Sequence, residues 1–196
     1  MPRNGIPAGY REAVCLIGDG KAHISIPKVD TTKHPVVSFA FLDNGSFTED
    51  RNVFGCITGT GERLEFGIGW DNTCFSANYG NGYQVVWPKS SSFWNKKVDV
   101  TMQYPNNVAI NETAAELNQY AVGKTGILTD VWLFGTNRGE LKRYYTGEIY
   151  RFSIEGQYDM IPVLDPNGTA CMYDLVGKKP YYNASPDGQF FCREKE

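Results

Sequence analysis

The stretch GEIYRFSIEGQYDMIPVLDPNGTACMYDLVGKKPYYNASPDGQFF, residues 147–191, decides the fold. Its first part alternates apolar with polar side chains: Tyr150, Phe152 and Ile154 fall on one face and Arg151 and Ser153 on the other. This two-residue period predicts a strand with one buried face. Two further apolar segments, 158–164 and 171–176, are joined by the turn sequence Asp-Pro-Asn-Gly. Proline presets φ and Asn-Gly accepts positive φ, so the sequence predicts a β-hairpin here.

The rest of the chain repeats this rhythm. Alternating segments predict strands at 13–17, 22–26, 35–42, 52–58, 63–70, 73–79, 83–87, 97–103 and 108–111. Residues 129–135 contain the apolar run Val-Trp-Leu-Phe, which predicts a strand buried on both faces. The short stretch with helix-forming residues, 112–118, is interpreted as strand. Strands at regular spacing with Gly, Asn and Asp turns favour an all-β fold, a two-sheet antiparallel β-sandwich.

Bulk properties favour one domain over residues 1–196, with 1–11 as a lead-in segment. The length of 196 residues suits a single sandwich. The net charge of −3 does not indicate a basic surface that would bind nucleic acid. The apolar runs are too short for membrane insertion, and no signal peptide is visible. We therefore expect either a protein made and used without classical secretion, as a virion component would be, or a domain cut from a longer chain.

Cysteine and histidine usage argues against structural cross-links. The five cysteines show no CxxC spacing, so we expect free thiols rather than a disulfide framework. The two histidines, His23 and His34, stand in no metal-ligand spacing, which makes a zinc site improbable.

Two sets of residues resemble a known family. One set is the C-terminal order G-x-I-Y-x-F-x-I, D-x-I-P, a turn, M-Y-D-L-V and Y-Y-N-A. The lead-in Pro-Ala-Gly-Tyr-Arg-Glu at 7–12, followed by Leu-Ile-Gly-Asp-Gly at 16–20, is the other. Both are similar to concanavalin A-like (laminin-G-like) jelly-roll domains of the kind found in bacteriophage or prophage structural proteins and in gut-bacterial surface proteins. The resemblance implies a jelly roll whose N-terminal strand lies near the C-terminal one.

Catalysis by this superfamily needs a particular pattern of acids. Its glucanases place two carboxylates on one strand face, at i and i+4 with a third between them. The strands here offer Glu62 and Glu65, which fall on opposite faces, Glu148 and Glu155, or Asp159 alone. None forms an E-x-D-x-E alternation. The sequence therefore favours a protein that is not an enzyme, with a glycoside hydrolase as a less favoured alternative.

The richest candidate for ligand binding is the aromatic and polar segment 70–94. Aromatic faces pack on sugar rings, while amides hydrogen-bond to sugar hydroxyls. The predicted glycan-binding residues are Tyr83, Trp87, Trp94, Tyr79, Asn81 and Gln84. Trp70 shares a strand face with Leu64, Phe66 and Ile68, which places it in the core instead.

Calcium is the one cofactor that the sequence leaves open. Laminin-G-like domains can bind it at a rim through Asp side chains and carbonyls. Asp43, Asp50 and Asp71 are loop acids that could serve. Loop acids more commonly stabilise turns, so we expect neither a metal nor another cofactor.

Together these patterns favour a non-enzymatic module of a phage virion, associated with the tail or capsid. Its expected partners are other virion or surface protein subunits and a host-cell glycan, with no nucleic acid and no membrane insertion. The alternative is a carbohydrate-binding module of a bacterial surface protein or enzyme, which would be extracellular or on the cell surface.

Overall fold

The computed structural model describes residues 5–43, 51–68, 74–80, 85–88, 95–104, 107–114, 125–139 and 141–195. Within these ranges the chain forms twenty strands and no α-helix. The first ten are β1 (Arg11–Asp19), β2 (Ile24–Ile26), β3 (Val29–Asp30), β4 (Val37–Leu42), β5 (Arg51–Ile57), β6 (Arg63–Ile68), β7 (Cys74–Tyr79), β8 (Val85–Pro88), β9 (Lys97–Gln103) and β10 (Asn107–Ile110). The others are β11 (Thr113–Ala114), β12 (Ile127–Leu128), β13 (Val131–Leu133), β14 (Asn137–Arg138), β15 (Leu141–Lys142), β16 (Thr146–Ile154), β17 (Tyr158–Leu164), β18 (Ala170–Asp174), β19 (Lys179–Tyr181) and β20 (Phe190–Glu194).

Two large sheets form the body of the fold. The first sheet has the order β11-β10-β9-β4-β16-β1-β17-β18-β19, and β20 also pairs with β1. The second sheet has the order β15-β14-β5-β6-β7-β8, and β13 links β5 to β2. The pair β3–β12 stands apart from both. Pairing is antiparallel apart from a short parallel contact of β14 with β5 in the described ranges. The all-β antiparallel sandwich predicted from the strand rhythm is thus confirmed.

Aromatic side chains fill the space between the two sheets. Phe39 on the first sheet meets Phe54 and Phe66 on the second edge-on, with ring centroids 4.9 and 5.0 Å apart. Phe41 meets Phe75 in the same way at 5.6 Å. All five rings are buried. Edge-to-face pairs add about 0.5–1.5 kcal/mol each beyond the area they bury, so this cluster fixes how the sheets face each other.

The predicted C-terminal hairpin forms. Residues of β17 pair in register with β18, from Met160 opposite Asp174 to Leu164 opposite Ala170. Asp165 accepts hydrogen bonds from the backbone N–H groups of residues 167 and 169, at 2.9 and 2.8 Å. The Asp-Pro-Asn-Gly sequence therefore acts through its side chain as well as through its backbone preferences.

The two ends of the chain lie side by side, as the resemblance implies. Strand β1 pairs antiparallel with β20, from Ala13 opposite Glu194 to Gly18 opposite Phe190. Strand β1 also pairs with β16, where Leu16 lies opposite Ile149. Its first residues pair with β17 as well, so the first strand of the chain is held by three strands of the C-terminal region.

The apolar run 129–135 differs from its prediction. The strand covers only Val131–Leu133, because Phe134 has a φ of 64°, in the left-handed region. The Phe134 ring is fully buried and packs against Phe190 at 4.8 Å. A Cβ at Gly18 would overlap this ring, so glycine in β1 is what gives the ring its space. The run is apolar because it turns within the core and not because it is a long central strand.

Free thiols are present at Cys15, Cys56, Cys171 and Cys192, and the side chain of Cys74 is not described. Burial raises the pKa of Cys15 and Cys56 to about 11 and that of Cys171 and Cys192 to about 12. These thiols are therefore protonated and poorly nucleophilic at neutral pH. That all five cysteines are reduced stays a prediction.

Candidate functional site

A row of residues crosses the outward face of the second sheet. Ser25, Trp132, Gly55, Glu65 and Asn78 lie on five neighbouring strands, each in register opposite the next. Adjacent strands are about 4.8 Å apart, so the row spans about 19 Å. The residues that alternate with them along β5 and β6 belong to the core, so the row faces away from the first sheet. We call this row and its side-chain neighbours the second-sheet face.

A buried carboxylate organises the centre of this face. Glu65 is only 5% exposed. Its Oε2 accepts a hydrogen bond from Asn52 Nδ2 at 3.0 Å, and its Oε1 accepts one from Asn78 Nδ2 at 2.9 Å. Burial raises the pKa of Glu65, and nearby positive charges together with the Asn52 bond offset only part of that effect. Glu65 thus fixes which way both amides face.

Glycine brings a hydroxyl into the same cluster. A Cβ at Gly55 would overlap both the Thr136 side chain and the Cβ of Glu65. Without a side chain at 55, the Thr136 hydroxyl lies across β5 beside the buried carboxylate. Thr136 is fully buried.

Four polar atoms of the second-sheet face are shielded from solvent and have no hydrogen-bond partner among the described residues. They are Asn78 Oδ1, Thr136 Oγ1, Trp132 Nε1 and Arg63 Nε. Asn78, Thr136 and Trp132 are 4%, 0% and 8% exposed. A buried polar group without a partner costs about 1–3 kcal/mol. The four comprise an acceptor, two N–H donors and a hydroxyl that can do both, so they suit a partner that also offers both.

Three stacked rings adjoin the polar row. The His23 ring lies 3.8 Å from Trp132 with an interplanar angle of 21°, and Tyr144 lies nearly parallel to Trp132 at 6.3 Å. His23 and Trp132 are buried, whereas Tyr144 is half-buried. Tyr144 is therefore the ring of this stack that can offer an aromatic surface to a ligand.

A second depression, of about 550 Å³, lies between β20 and the β17–β18 hairpin. Tyr182 and Phe191 line it and are 42% and 49% exposed. Two of its polar side chains already have partners: the Tyr182 hydroxyl donates to Asp165 at 3.1 Å, and the Asn183 amide donates to two backbone carbonyls. It therefore has less capacity for a polar ligand than the second-sheet face.

The structure describes two of the six predicted glycan-binding residues. Tyr79 is 7% exposed, and its hydroxyl donates to the carbonyl of Pro35 at 2.8 Å. This places Tyr79 in the core and not on a ligand-binding surface. Trp87 lies in β8 in register with Phe75, and only its backbone is described. The others, Tyr83, Trp94, Asn81 and Gln84, lie outside the described residues.

Of the three calcium candidates, Asp43 is described. It is 1% exposed and accepts hydrogen bonds from the Arg51 guanidinium at 3.2 and 3.4 Å. This buried ion pair engages Asp43 within the protein. Asp50 and Asp71 lie outside the described residues. Within the described ranges, no three His, Cys, Asp or Glu side chains are grouped so that they could hold a metal ion.

The sequence alone does not reveal the second-sheet face. The alternation along β6 places Arg63 and Glu65 on the polar side of that strand. The sequence signal for the site is this glutamate, together with Gly55 on the neighbouring strand. Asn52 and Asn78 join Glu65 only through the register of β5 and β7, which sequence patterns do not determine.

The comparisons with known proteins show the fold. No protein-family model matches the chain, and no curated protein is similar to it in sequence. Among solved structures, it is similar to the heptameric SAP-like pentraxin of Limulus polyphemus, with a TM-score of 0.50 and 10% identity over 73% of this chain and 76% of that one. It is also similar to a Bacteroides ovatus protein described as a candidate carbohydrate-binding protein, with a TM-score of 0.53 and 12% identity over 93% of this chain. The match spans 61% of that protein's length.

These likenesses support the concanavalin A-like sandwich that the terminal motifs suggest. No helix in the described ranges is long and apolar enough to cross a membrane.

Proposed function

We propose that this domain is a non-enzymatic carbohydrate-binding module and that the second-sheet face holds its ligand. The observation that carries the proposal is the set of buried atoms without partners among the described residues: Asn78 Oδ1, Thr136 Oγ1, Trp132 Nε1 and Arg63 Nε. A sugar presents hydroxyls that donate and accept at once, and this matches a mixed set better than a purely anionic or apolar ligand would. The likeness to the Bacteroides ovatus protein supports the same function.

The state of the central carboxylate supports binding without catalysis. Glycoside hydrolysis needs a pair of carboxyl groups, one of which is free to act as a nucleophile or a base. Both oxygens of Glu65 already accept hydrogen bonds from amides. Asp130, which also borders the row, accepts bonds from Ser25 and Asn137. We therefore assign Glu65 the role of a positioning residue.

We propose further that the module is displayed on a particle or cell surface. The terminal motifs, through their resemblance to phage and gut-bacterial proteins, favour a virion or a bacterial surface protein. A glycan-binding module would serve adhesion in either place, so the proposed ligand does not depend on which carrier holds it.

Two buried threonines provide a matched test. Thr136→Val keeps the shape of the side chain and removes a hydroxyl that has no described partner. We expect this variant to keep or slightly raise the melting temperature and to weaken glycan binding at least about fivefold, the loss of roughly one hydrogen bond. Binding is measured by affinity electrophoresis against a panel of soluble polysaccharides and then by titration calorimetry.

The control is Thr31→Val. Thr31 is also buried, but its hydroxyl donates to the carbonyl of Gly126 and accepts from that residue's N–H, both at 2.9 Å. This variant should lower stability by about 1–3 kcal/mol and leave affinity unchanged. If the wild type binds nothing in the panel, or if Thr136→Val binds as the wild type does, the proposal is wrong.

A further inference from the structure

The carboxylates of the second-sheet face are held by neutral groups. Glu65 accepts hydrogen bonds from two amides, and Asp130 accepts them from a serine hydroxyl and an amide. None of these four bonds involves the guanidinium group of Arg63 or Arg138.

Three arginines surround the same centre. Arg63 precedes Glu65 by two residues in β6, so both lie on one face of the sheet. The carbonyl of Arg143 accepts the N–H of Asn52 at 3.3 Å. Arg138 lies in β14, the strand that pairs with β5 on the side opposite β6. All three arginines act electrostatically on Glu65.

Two arginines of the second-sheet face, Arg63 and Arg138, differ in their partners from the arginines of the first sheet and from Arg51 of β5, which pairs with Asp43. On the first sheet, Arg11, Arg151 and Arg193 each form an ion pair with a carboxylate, at 2.6, 2.8 and 2.9 Å. Arg63 and Arg138 have no carboxylate partner within the described part of the chain, and Arg63 Nε has no hydrogen-bond partner there. A guanidinium group is a planar donor that matches the geometry of a carboxylate.

We infer that the glycan recognised by the second-sheet face is acidic and carries a carboxylate, as uronic and sialic acids do. This inference rests on the proposed function and narrows its ligand class. The hydroxyl-matching atoms near Asn78 and Thr136 bind the ring, while Arg63 and Arg138 bind the carboxylate. The preference for acid arises locally, because the whole chain carries a net charge of −3.

The test compares matched acidic and neutral sugars by calorimetry. The pairs are trigalacturonate with galactotriose and sialyllactose with lactose, which separate uronic from sialic acid as the source of the carboxylate. In about 20 mM salt we expect the acidic member of one pair to bind at least about tenfold more tightly, since charge-assisted bonds are roughly twice as strong as neutral ones. The difference should shrink at about 0.5 M salt, where exposed charges are screened.

Two variants test whether the preference for the acidic sugar arises at the second-sheet face. Arg63→Gln should weaken binding of the acidic member much more than binding of the neutral member, and so remove most of the preference. Arg151→Gln, on the first sheet, should behave as the wild type does. Equal affinity for both members of each pair would overturn this inference and leave the proposed function standing, whereas no binding of any sugar would overturn both. Sulfated lactose that binds as tightly as sialyllactose would overturn the assignment of a carboxylate.

Discussion

At the scale of single residues, Glu65 couples stability to function. Its carboxylate is buried, yet it is what turns the Asn52 and Asn78 amides so that their nitrogens face inward. The domain therefore keeps an ionisable group where burial disfavours its charged form and raises its pKa. Such a trade is common where a binding site needs a fixed geometry.

The raised pKa of Glu65 determines how the stability of the domain changes with pH. Because burial raises the folded-state pKa above the unfolded value, the group's stabilising contribution is present below the unfolded pKa and is lost as pH rises through the folded pKa. Glu65→Gln should therefore be more stable than the wild type at pH 7–8, and the difference should disappear near pH 4. A chain of this length gains about 2–4 °C in Tm for each kcal/mol.

The same variant should bind glycan less well, because the amide that it introduces at position 65 can donate to Asn78 Oδ1 and so occupy an acceptor meant for the ligand. Thermal melts at several pH values, with the exposed Glu155→Gln as control, measure the first effect. A Glu65→Gln protein that melts lower than the wild type across the whole pH range would contradict this account of Glu65.

At the scale of elements, β20 is anchored to the core by Phe190 more than by its neighbour Phe191. Phe190 packs on Phe134 at 4.8 Å, whereas Phe191 is 49% exposed. Phe190→Ala should cost about 2–3 kcal/mol, somewhat less than a fully buried phenylalanine, while Phe191→Ala should stay within about 0.5 kcal/mol. Urea unfolding of the two variants measures both, and equal losses would mean that β20 is held mainly by its backbone pairing with β1.

Individual strands also show how much of the fold could be predicted from the sequence. Alternating apolar and polar residues correctly predict that β4, β9 and β16 are strands. The predicted face of β16 is wrong at Tyr150, because a register shift between Ile149 and Arg151 puts Ile149 in the core in its place. The strand predicted at 129–135 is buried as expected but covers only Val131–Leu133. Its length is overestimated because Phe134 is apolar whether the chain continues straight or turns within the core. The Glu65 cluster could not be predicted, since it depends on strand register, whereas aromatic content drew attention to 70–94.

At the scale of the whole molecule, we expect stability and ligand binding without calcium. Asp43 is bound to Arg51 in a buried ion pair, and removing one partner of such a pair is strongly destabilising. Asp43 is therefore committed to the protein. Treatment with EDTA, followed by addition of calcium, should leave the melting temperature and the glycan affinity unchanged. A rise of several degrees on adding calcium would show a site that these contacts do not explain.

The pairing of β1 with β20 has a consequence for how the domain can be built into larger proteins. Ala13 and Glu194 are registered opposite each other, so their Cα atoms are about 4.5–5.5 Å apart. The start of β1 and the end of β20 thus lie side by side, and the lead-in residues Ile6 and Tyr10 pack on the β17–β18 hairpin. Such a domain can be inserted into a surface loop of a host fold as easily as it can be attached in tandem, because the insertion does not force the host's loop ends apart.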